Sequence, residues 1–115
     1  CVKCSWHLTL HEYIKMNLEK YGPNYIETQQ GWNGILKTFY SILEHYGKLR
    51  EDFKILQIKE KFGTLRIYAV NSDEFIDGVI FFAENMSAHT CEICGGVGKG
   101  VVKNNWVRTR CALHE

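Results

Sequence analysis

The sequence lacks several features that mark large classes of protein. It has one proline, a formal net charge of only +1, and no apolar run approaching the roughly 20 residues that a membrane-spanning helix needs. The missing run argues against a transmembrane helix, so we expect no membrane partner. The balanced charge argues against strong electrostatic attraction to nucleic acid or to an anionic membrane surface. We find no internal repeat and no low-complexity tract.

The composition is that of an ordinary globular chain. Its 115 residues are 45% hydrophobic and 23% charged, close to the averages for globular domains. A chain of this length buries roughly two-thirds of its unfolded surface, which is enough for a modest core. We therefore expect one domain, or one domain with a small appendage.

Apolar residues recur at steps of three and four in two stretches of the first half. The first stretch predicts a helix over residues 6–21, which Gly22-Pro23 should end because proline disfavours helical geometry in the residue before it. The second predicts a helix over residues 32–46, closed by Gly47. A polar connection joins the two helices.

The period then changes from helical to alternating. Two alternating runs between residues 53 and 70, joined through Phe62-Gly63, predict an antiparallel hairpin. Asn71, with Glu74 three residues later, has the pattern of a capping box and predicts the start of a third helix. That helix should end near Ser87. The order of helix, helix, hairpin and helix predicts an α+β body over residues 1–90.

The last 25 residues hold the strongest motif in the chain. Two pairs of metal-binding residues, each pair three apart, are separated by 16 residues: Cys91 and Cys94, then Cys111 and His114. A Cys-x2-Cys step followed by glycine forms a tight turn, called a knuckle, that aims both sulfurs at one point, and a second pair completes a tetrahedron. The spacing predicts a structural zinc (Zn²⁺) site.

The predicted site defines a second unit of the chain. A short hairpin between Val97 and Val107 should carry the chain away from the knuckle and back, and Cys111 and His114 fit one terminal helical turn. Knuckle, hairpin and turn together predict a treble-clef-like zinc finger over residues 91–115, packed on the body as one compact unit. Metal binding would stabilise this tail, which has little core of its own.

The number and placement of the cysteines also favour metal over disulfides. Five is an odd number; four of the cysteines lie in Cys-x2-Cys steps, and the fifth, Cys111, lies three residues before a histidine. Both facts indicate thiolates on a metal in a reducing cytoplasm rather than a secreted disulfide framework.

A second group of metal-binding residues lies at the other end of the chain. Positions 4, 7 and 11 would share one face of a helix, which allows a second metal site there. Alternatively, the histidines simply flank the start of that helix. The group comprises Cys1, Cys4, His7 and His11.

Nothing in the chain has the pattern of a catalytic centre. Four protein ligands close the coordination shell, whereas a catalytic zinc usually keeps an open position. The chain has no His-Glu-x2-His helix, and no histidine or aspartate lies between Cys94 and Cys111 to serve a nuclease of the His-Asn-His type. We therefore predict no catalytic residues and no enzyme activity.

Two sets of side chains are candidate partner contacts. Lys61 and Phe62, at the tip of the first hairpin, could anchor a protein. The zinc segment carries four basic and two acidic residues, and its basic side chains with one aromatic ring could hold a phosphate backbone and stack a base. This second set is Lys99, Lys103, Trp106, Arg108 and Arg110.

Three segments of the chain carry a resemblance: QIKEKFGTLRIY (57–68), AENMSAHTCEICGGVGK (83–99) and NNWVRTRCALHE (104–115). Together they are similar to a family of small bacterial and phage proteins that join a Lys-Glu-Lys-Phe-Gly hairpin to a Cys-x2-Cys-Gly knuckle and a Trp…Cys-x2-His ending. The resemblance covers about half the chain and supports the same four ligands. It implies no reaction, but it implies a phage or prophage setting, where small non-enzymatic proteins often block host factors or defence nucleases.

These patterns predict a non-enzymatic, zinc-stabilised interaction protein that binds a protein partner in a bacterial cytoplasm, such as a phage-type inhibitor or adaptor. The alternative is a small nucleic-acid-binding module that uses the basic zinc finger. The two hypotheses differ in the salt dependence that each predicts for binding to generic nucleic acid.

Overall fold

The computed structural model describes residues 10–115, with side chains described from residue 12 onward. Within that range the fold is mixed α+β, as predicted, with three α-helices and two antiparallel hairpins. In chain order the elements are α1 (Leu10–Tyr21), a 3-10 turn (Gln30–Trp32), α2 (Asn33–His45), β1 (Lys54–Lys61), β2 (Thr64–Val70), α3 (Glu74–Ser87), β3 (Lys99–Lys103) and β4 (Trp106–Arg110).

Each hairpin is a separate two-stranded sheet, β1 with β2 and β3 with β4. Helix α1 ends at Tyr21, directly before Gly22-Pro23, as the sequence predicts. Helix α2 runs from Asn33 to His45, within one residue of the predicted range. The start predicted for the first helix, residues 6–9, lies outside the described part of the chain.

Strand β1 contains an irregularity that simple alternation misses. The pairing register shifts between Ile55 and Gln57, so Leu56 is an extra residue in β1. The extra residue moves Ile58 to the same side as Ile55, and both are fully buried, whereas Leu56 is 58% exposed. Strict alternation predicts that Ile55 and Ile58 lie on opposite faces. This prediction is wrong because of the bulge.

Helix α3 begins two residues later than the capping-box pattern predicts. Its N-cap is Asp73, whose carboxylate Oδ1 accepts the backbone N–H of Ile76 at 2.9 Å. Asn71 instead adopts a left-handed backbone with φ 61° and donates its side-chain amide to the carbonyl of Asp52. The predicted cap is wrong, because Asn71 turns the chain out of β2 and leaves capping to Asp73.

The core forms where α2 and α3 pack with the β1–β2 sheet. Fully burying one large apolar side chain contributes roughly 2 kcal/mol to stability. The fully buried apolar side chains include Trp32, Leu36, Ile55, Ile58, Leu65 and Ile76, with Phe39, Tyr40 and Leu43 beside them. From α3, however, only the face carrying Ile76 and Ala83 is buried. The apolar periodicity of this helix predicts that Phe75, Phe82 and Met86 are buried as well, which is wrong, since they are 52%, 67% and 42% exposed.

Side chains of α3 also close the outer edge of β2. The Ser87 hydroxyl accepts the backbone N–H of Leu65 at 2.8 Å, and the Glu84 carboxylate accepts that of Ile67 at 3.0 Å. Both donors would otherwise be unpaired at the edge of a two-stranded sheet. The edge is therefore blocked against pairing with another chain.

Across residues 10–115, none of the helices combines the length and the apolar character needed to cross a bilayer.

Candidate metal centre

The first pair of predicted ligands lies on a tight turn after α3. Gly95 donates its N–H to the carbonyl of Cys91 at 2.9 Å, and Cys91 donates to the carbonyl of Gly96 at 2.8 Å. Gly95 has φ +80°, a left-handed conformation that glycine adopts without steric cost. The turn is the knuckle that the Cys-x2-Cys-Gly-Gly sequence predicts.

The second pair returns to the knuckle at the end of β4. His114 donates its backbone N–H to the carbonyl of Cys111 at 3.1 Å, which closes a turn one residue before the end of the chain. This turn brings the Cys111 Sγ to 3.0 Å from the His114 Nδ1. Both side chains of the second pair therefore point toward one place.

The two pairs form one cluster. Three sulfurs and one ring nitrogen, from Cys91, Cys94, Cys111 and His114, lie within 4.8 Å of one another. The Cys94 and Cys111 sulfurs are 3.7 Å apart, and the Cys91 sulfur is 3.8 Å from the His114 Nδ1. All three cysteines are free, since a disulfide would need a separation of about 2.05 Å. The arrangement is consistent with a metal site.

The cluster is unequally exposed, and its thiols differ in acidity. Cys91 is fully buried, while Cys94 is exposed. Burial raises the pKa of the Cys91 thiol, but backbone N–H groups of Cys94, Cys111 and Ile93 outweigh it and lower the pKa to about 6. The Gly96 N–H lowers the pKa of Cys94, but desolvation and the neighbouring sulfurs raise it above its ordinary value. The knuckle thus favours a thiolate at Cys91 first.

A buried ion pair joins the two ligand pairs. The Arg110 guanidinium donates to the Glu92 Oε1 from Nη2 at 2.6 Å and from Nε at 2.8 Å, and the two side chains are only 13% and 7% exposed. Arg110 also donates from Nη1 to the carbonyl of His114 at 3.1 Å. Sequence reasoning treated Arg110 as a partner contact. Three of its five N–H donors are used inside the site, and its side chain also lines the cleft described below, so that assignment stays a prediction.

The knuckle is fastened to the body at the start of α2. Gly31 donates its N–H to the carbonyl of Glu92 at 2.8 Å, and the Trp32 Nε1 donates to the carbonyl of Thr90 at 2.9 Å. A Cβ on Gly31 would lie only 2.2 Å from the carbonyl oxygen of Cys91. The two backbones therefore touch at Gly31, and only glycine fits. Sequence reasoning missed this contact, because no local signal connects residues so far apart in the chain.

The β3–β4 hairpin is also fastened to the body. Thr109 is buried and donates its hydroxyl to the carbonyl of Gly63 at 2.7 Å, which links β4 to the tip of the β1–β2 hairpin. Glu92 donates its N–H to the carbonyl of Thr109 at 3.1 Å. Knuckle, second hairpin and first hairpin are thus hydrogen-bonded to one another.

The register of the second hairpin sorts its side chains by face. Asn104 and Asn105, with φ of 54° and 63°, form the two-residue turn, which is typical of type I′ hairpins. Directly paired residues in antiparallel strands point to the same face. One face therefore carries three cross-strand pairs: Lys99 with Arg110, Val101 with Arg108, and Lys103 with Trp106.

That face borders an open cleft of about 590 Å³ against the body. Trp106 is 58% exposed, and Lys99 and Lys103 are exposed beside it. Arg108 is half-buried and lines the cleft, opposite the carboxylate-bearing residues Glu27 and Glu60. Arg110 lines the same cleft, although its side chain is only 13% exposed.

The predicted contacts at the tip of the first hairpin are exposed. Phe62 is 71% exposed, and the Lys61 ammonium lies 5.7 Å from the centre of its ring.

The second predicted metal site lies outside the described part of the chain: Cys1, Cys4 and His7 precede the described residues, and the His11 side chain is not described.

Comparisons with models of protein families, with curated proteins and with solved structures find no match.

The donor set defines the chemistry that the cluster offers. Three thiolates and an imidazole are soft to intermediate ligands that favour zinc, copper(I) or iron–sulfur chemistry over magnesium or calcium. Four convergent protein donors are also the number that a tetrahedral site needs. An ion that binds mainly through carboxylate oxygens, such as magnesium or calcium, would find no such oxygen among these four side chains.

Proposed function

We propose that the four residues Cys91, Cys94, Cys111 and His114 bind one zinc ion as a structural site. A tetrahedral zinc with Zn–S bonds of about 2.3 Å separates its sulfurs by about 3.8 Å. The 3.7 Å between the Cys94 and Cys111 sulfurs supports that geometry. The knuckle, the β3–β4 hairpin and the terminal turn then compose a treble-clef-like finger.

We further propose that the protein is not an enzyme and that it recognises a protein partner. A complete set of four ligands leaves no coordination position for substrate or water. The ion pair and the hydrogen bonds around the cluster serve to hold the finger on the body. Recognition by an exposed surface is the function that remains for such an arrangement.

The observation that carries this proposal is the conformation of Phe62. Phe62 and Gly63, with φ of 53° and 82°, form the two-residue turn between β1 and β2. A left-handed backbone costs a non-glycine residue roughly 1 kcal/mol, and a ring that is 71% exposed returns little of that cost to folding. The second hairpin of the same chain uses asparagines at its turn. We infer that Phe62 is kept as an anchor for a partner.

The test uses a substitution that separates folding from binding. Phe62→Asn should raise the free energy of unfolding by up to about 1 kcal/mol, because asparagine tolerates the left-handed conformation, and should abolish capture of the partner from lysate of the bacterial host. Tyr25→Asn, at another ring that is 65% exposed, is the control and should leave capture unchanged. Undiminished capture by Phe62→Asn would refute the anchor.

A second candidate function is supported by the β3–β4 hairpin. Lys99, Lys103, Arg108 and the exposed Trp106 share one face, which is the combination that binds single-stranded nucleic acid by charge and stacking. The near-neutral charge of the whole chain and the carboxylates across the cleft oppose it. We therefore rank it below a protein partner.

Salt dependence tests this second candidate. If the hairpin binds nucleic acid, affinity for a generic oligonucleotide should fall steeply with salt, and Lys103→Glu/Arg108→Glu should remove the binding. Lys54→Glu/Lys48→Glu, on the body, is a control of equal charge change. Absence of binding at low salt would eliminate the hypothesis.

The biological setting is proposed from the family resemblance alone. The similarity to small bacterial and phage proteins supports a role as a phage-type inhibitor of a host or defence factor, in a reducing cytoplasm where thiolate sites persist. Mass spectrometry of proteins captured from the native host would identify the partner. Recovery of a secreted or membrane protein would contradict this setting.

A further inference from the structure

Apolar residues cover a wide face of helix α3, and its acidic residues lie on the opposite side. Ile76 and Ala83 face the core, yet Phe75, Phe81, Phe82 and Met86 are 52%, 68%, 67% and 42% exposed. An apolar face this wide is normally buried along its full width. This helix therefore presents apolar surface that the described part of its own chain does not cover.

Four apolar residues of α3 form a regular seam, of which Phe75, Phe82 and Met86 are exposed and Val79 is half-buried. They are spaced four, three and four residues apart, which places them along one face of the helix. That face is turned roughly 80° away from the face that Ile76 and Ala83 bury, at 100° per residue. A four–three–four spacing is the pattern by which one helix packs lengthwise on another.

A groove runs beside this seam, between α2 and α3. It has a volume of about 210 Å³ and is lined by Ile35 and Ile42 of α2 and by Phe82 and Met86 of α3. No charged side chain is among the described residues that line it. Gly34 also lines the groove, and a Cβ there would meet nothing within 4 Å. A second helix could thus approach closely without a buried charge.

We propose that this surface is the interface of a two-fold symmetric homodimer, in which α3 of one copy packs antiparallel on α3 of a second copy. The proposal is independent of the zinc ion's identity and of the protein partner. It concerns an assembly surface on the side of α3 that borders α2, away from the face that Ile76 and Ala83 bury.

The exposed area supports this occupant. Taking about 200 Å² for each large side chain, the exposed parts of Phe75, Phe82 and Met86 amount to about 300 Å² per copy. Two copies would therefore remove about 600 Å² of apolar surface through these side chains alone. A stable interface buries at least about 1,000 Å² in total, and homodimer interfaces are about 65% apolar. The surface on α3 thus supplies the apolar share of a small dimer.

Self-complementarity distinguishes a second copy from an unrelated helix. A two-fold interface needs a knob and a hole on the same surface, and here the exposed Phe82 ring lies beside the groove that would receive its counterpart. Antiparallel packing also places the positive end of each helix dipole beside the negative end of the other. Because the groove lining is uncharged, two identical copies meet without like-charge repulsion.

Analytical ultracentrifugation of the metal-loaded full chain tests the proposal. Across the micromolar range, the wild type should sediment as a monomer–dimer mixture. Phe82→Asp should weaken dimerisation about thirtyfold or more, the effect expected of a buried aromatic anchor. Met86→Lys is a second variant on the same seam and should also give monomers. Circular dichroism checks that each variant keeps the wild-type helix content.

Phe62→Asp is the matched control, since its ring is equally exposed but lies at the tip of the first hairpin. It should leave the dimer intact. A wild type that remains monomeric throughout the micromolar range overturns the proposal. A dimer that survives both Phe82→Asp and Met86→Lys overturns it as well, because it would have to form through another surface.

Discussion

At the scale of single residues, the ion pair between Arg110 and Glu92 connects both halves of the metal cluster. It joins the knuckle to the carbonyl of His114 and is largely shielded from water. Losing one partner of such a pair leaves an uncompensated buried charge, which is strongly destabilising. The pair therefore holds the knuckle and the terminal turn of the cluster together.

Arg110→Ala should lower the free energy of unfolding by about 3 kcal/mol, because Glu92 keeps its charge in a buried site. Arg108→Ala, two residues earlier on the same face, should change it by less than about 0.5 kcal/mol. Denaturant titration of the metal-loaded protein measures both. Equal effects of the two substitutions would show that the ion pair has no special role.

Gly31 is a second residue on which the site depends. Gly31→Ala would place a methyl group 2.2 Å from the carbonyl oxygen of Cys91, so we expect a loss of about 3 kcal/mol or more and weaker metal retention. Gly47→Ala is the control, since a Cβ there meets nothing within 4 Å, and it should be neutral or stabilising by up to about 1 kcal/mol. A Gly31→Ala protein with the same thermal stability as the wild type would contradict the close approach of the two backbones.

The ligand residues and the Gly31 contact differ in how far the sequence reveals them. Each ligand pair is local, and its three-residue spacing is a direct consequence of knuckle and turn geometry, so the cluster could be predicted. Gly31 and Trp32 contact the knuckle, although α2, the β1–β2 hairpin and α3 separate them from it along the chain. A contact of that kind follows from tertiary packing, for which a single sequence has no signal.

At the scale of elements, periodicity predicted the helices and hairpins but not their details. The bulge at Leu56 breaks the alternation of β1, and side-chain capping selects Asp73 over Asn71 as the start of α3. Bulges and caps are decided by a single hydrogen bond or one inserted residue. They leave the average pattern of a strand or helix nearly unchanged, which is why the pattern alone does not place them.

The cap of α3 predicts a pH dependence. The Ile76 backbone N–H, with the Tyr46 hydroxyl, holds the pKa of Asp73 below its ordinary value. A carboxyl whose pKa is lowered by folding stabilises the fold above its unfolded-state pKa, and this contribution is lost as pH falls through the folded pKa. Asp73→Asn keeps a good N-cap but cannot ionise.

The stability difference between wild type and Asp73→Asn should therefore shrink as the pH is lowered from neutral into the acid range. Thermal unfolding of both proteins at matched pH values measures it. Acid release of a bound metal affects both proteins and cancels in the difference. A difference that is constant across the pH range would exclude a contribution from the Asp73 charge.

At the scale of the whole molecule, three hydrogen bonds connect the C-terminal segment that carries the cluster to the rest of the described chain. The Gly31 N–H donates to the carbonyl of Glu92, and the Trp32 indole N–H donates to the carbonyl of Thr90. The Thr109 hydroxyl donates to the carbonyl of Gly63. The tail contributes few buried apolar side chains of its own, so its order should depend on metal. Chelation should therefore speed amide exchange in residues 91–115 more than in α2. Equal protection of the tail with and without chelator would argue against a structural ion.

Metal content is the most direct test of the central claim that Cys91, Cys94, Cys111 and His114 hold a structural zinc ion. Elemental analysis of the purified protein should find zinc, and Cys94→Ser/Cys111→Ser should lose about one ion per chain relative to the wild type. Cys4→Ser should keep that ion, which separates this site from the N-terminal group. Absence of metal from the wild type, or an unchanged content in the double variant, would contradict the account.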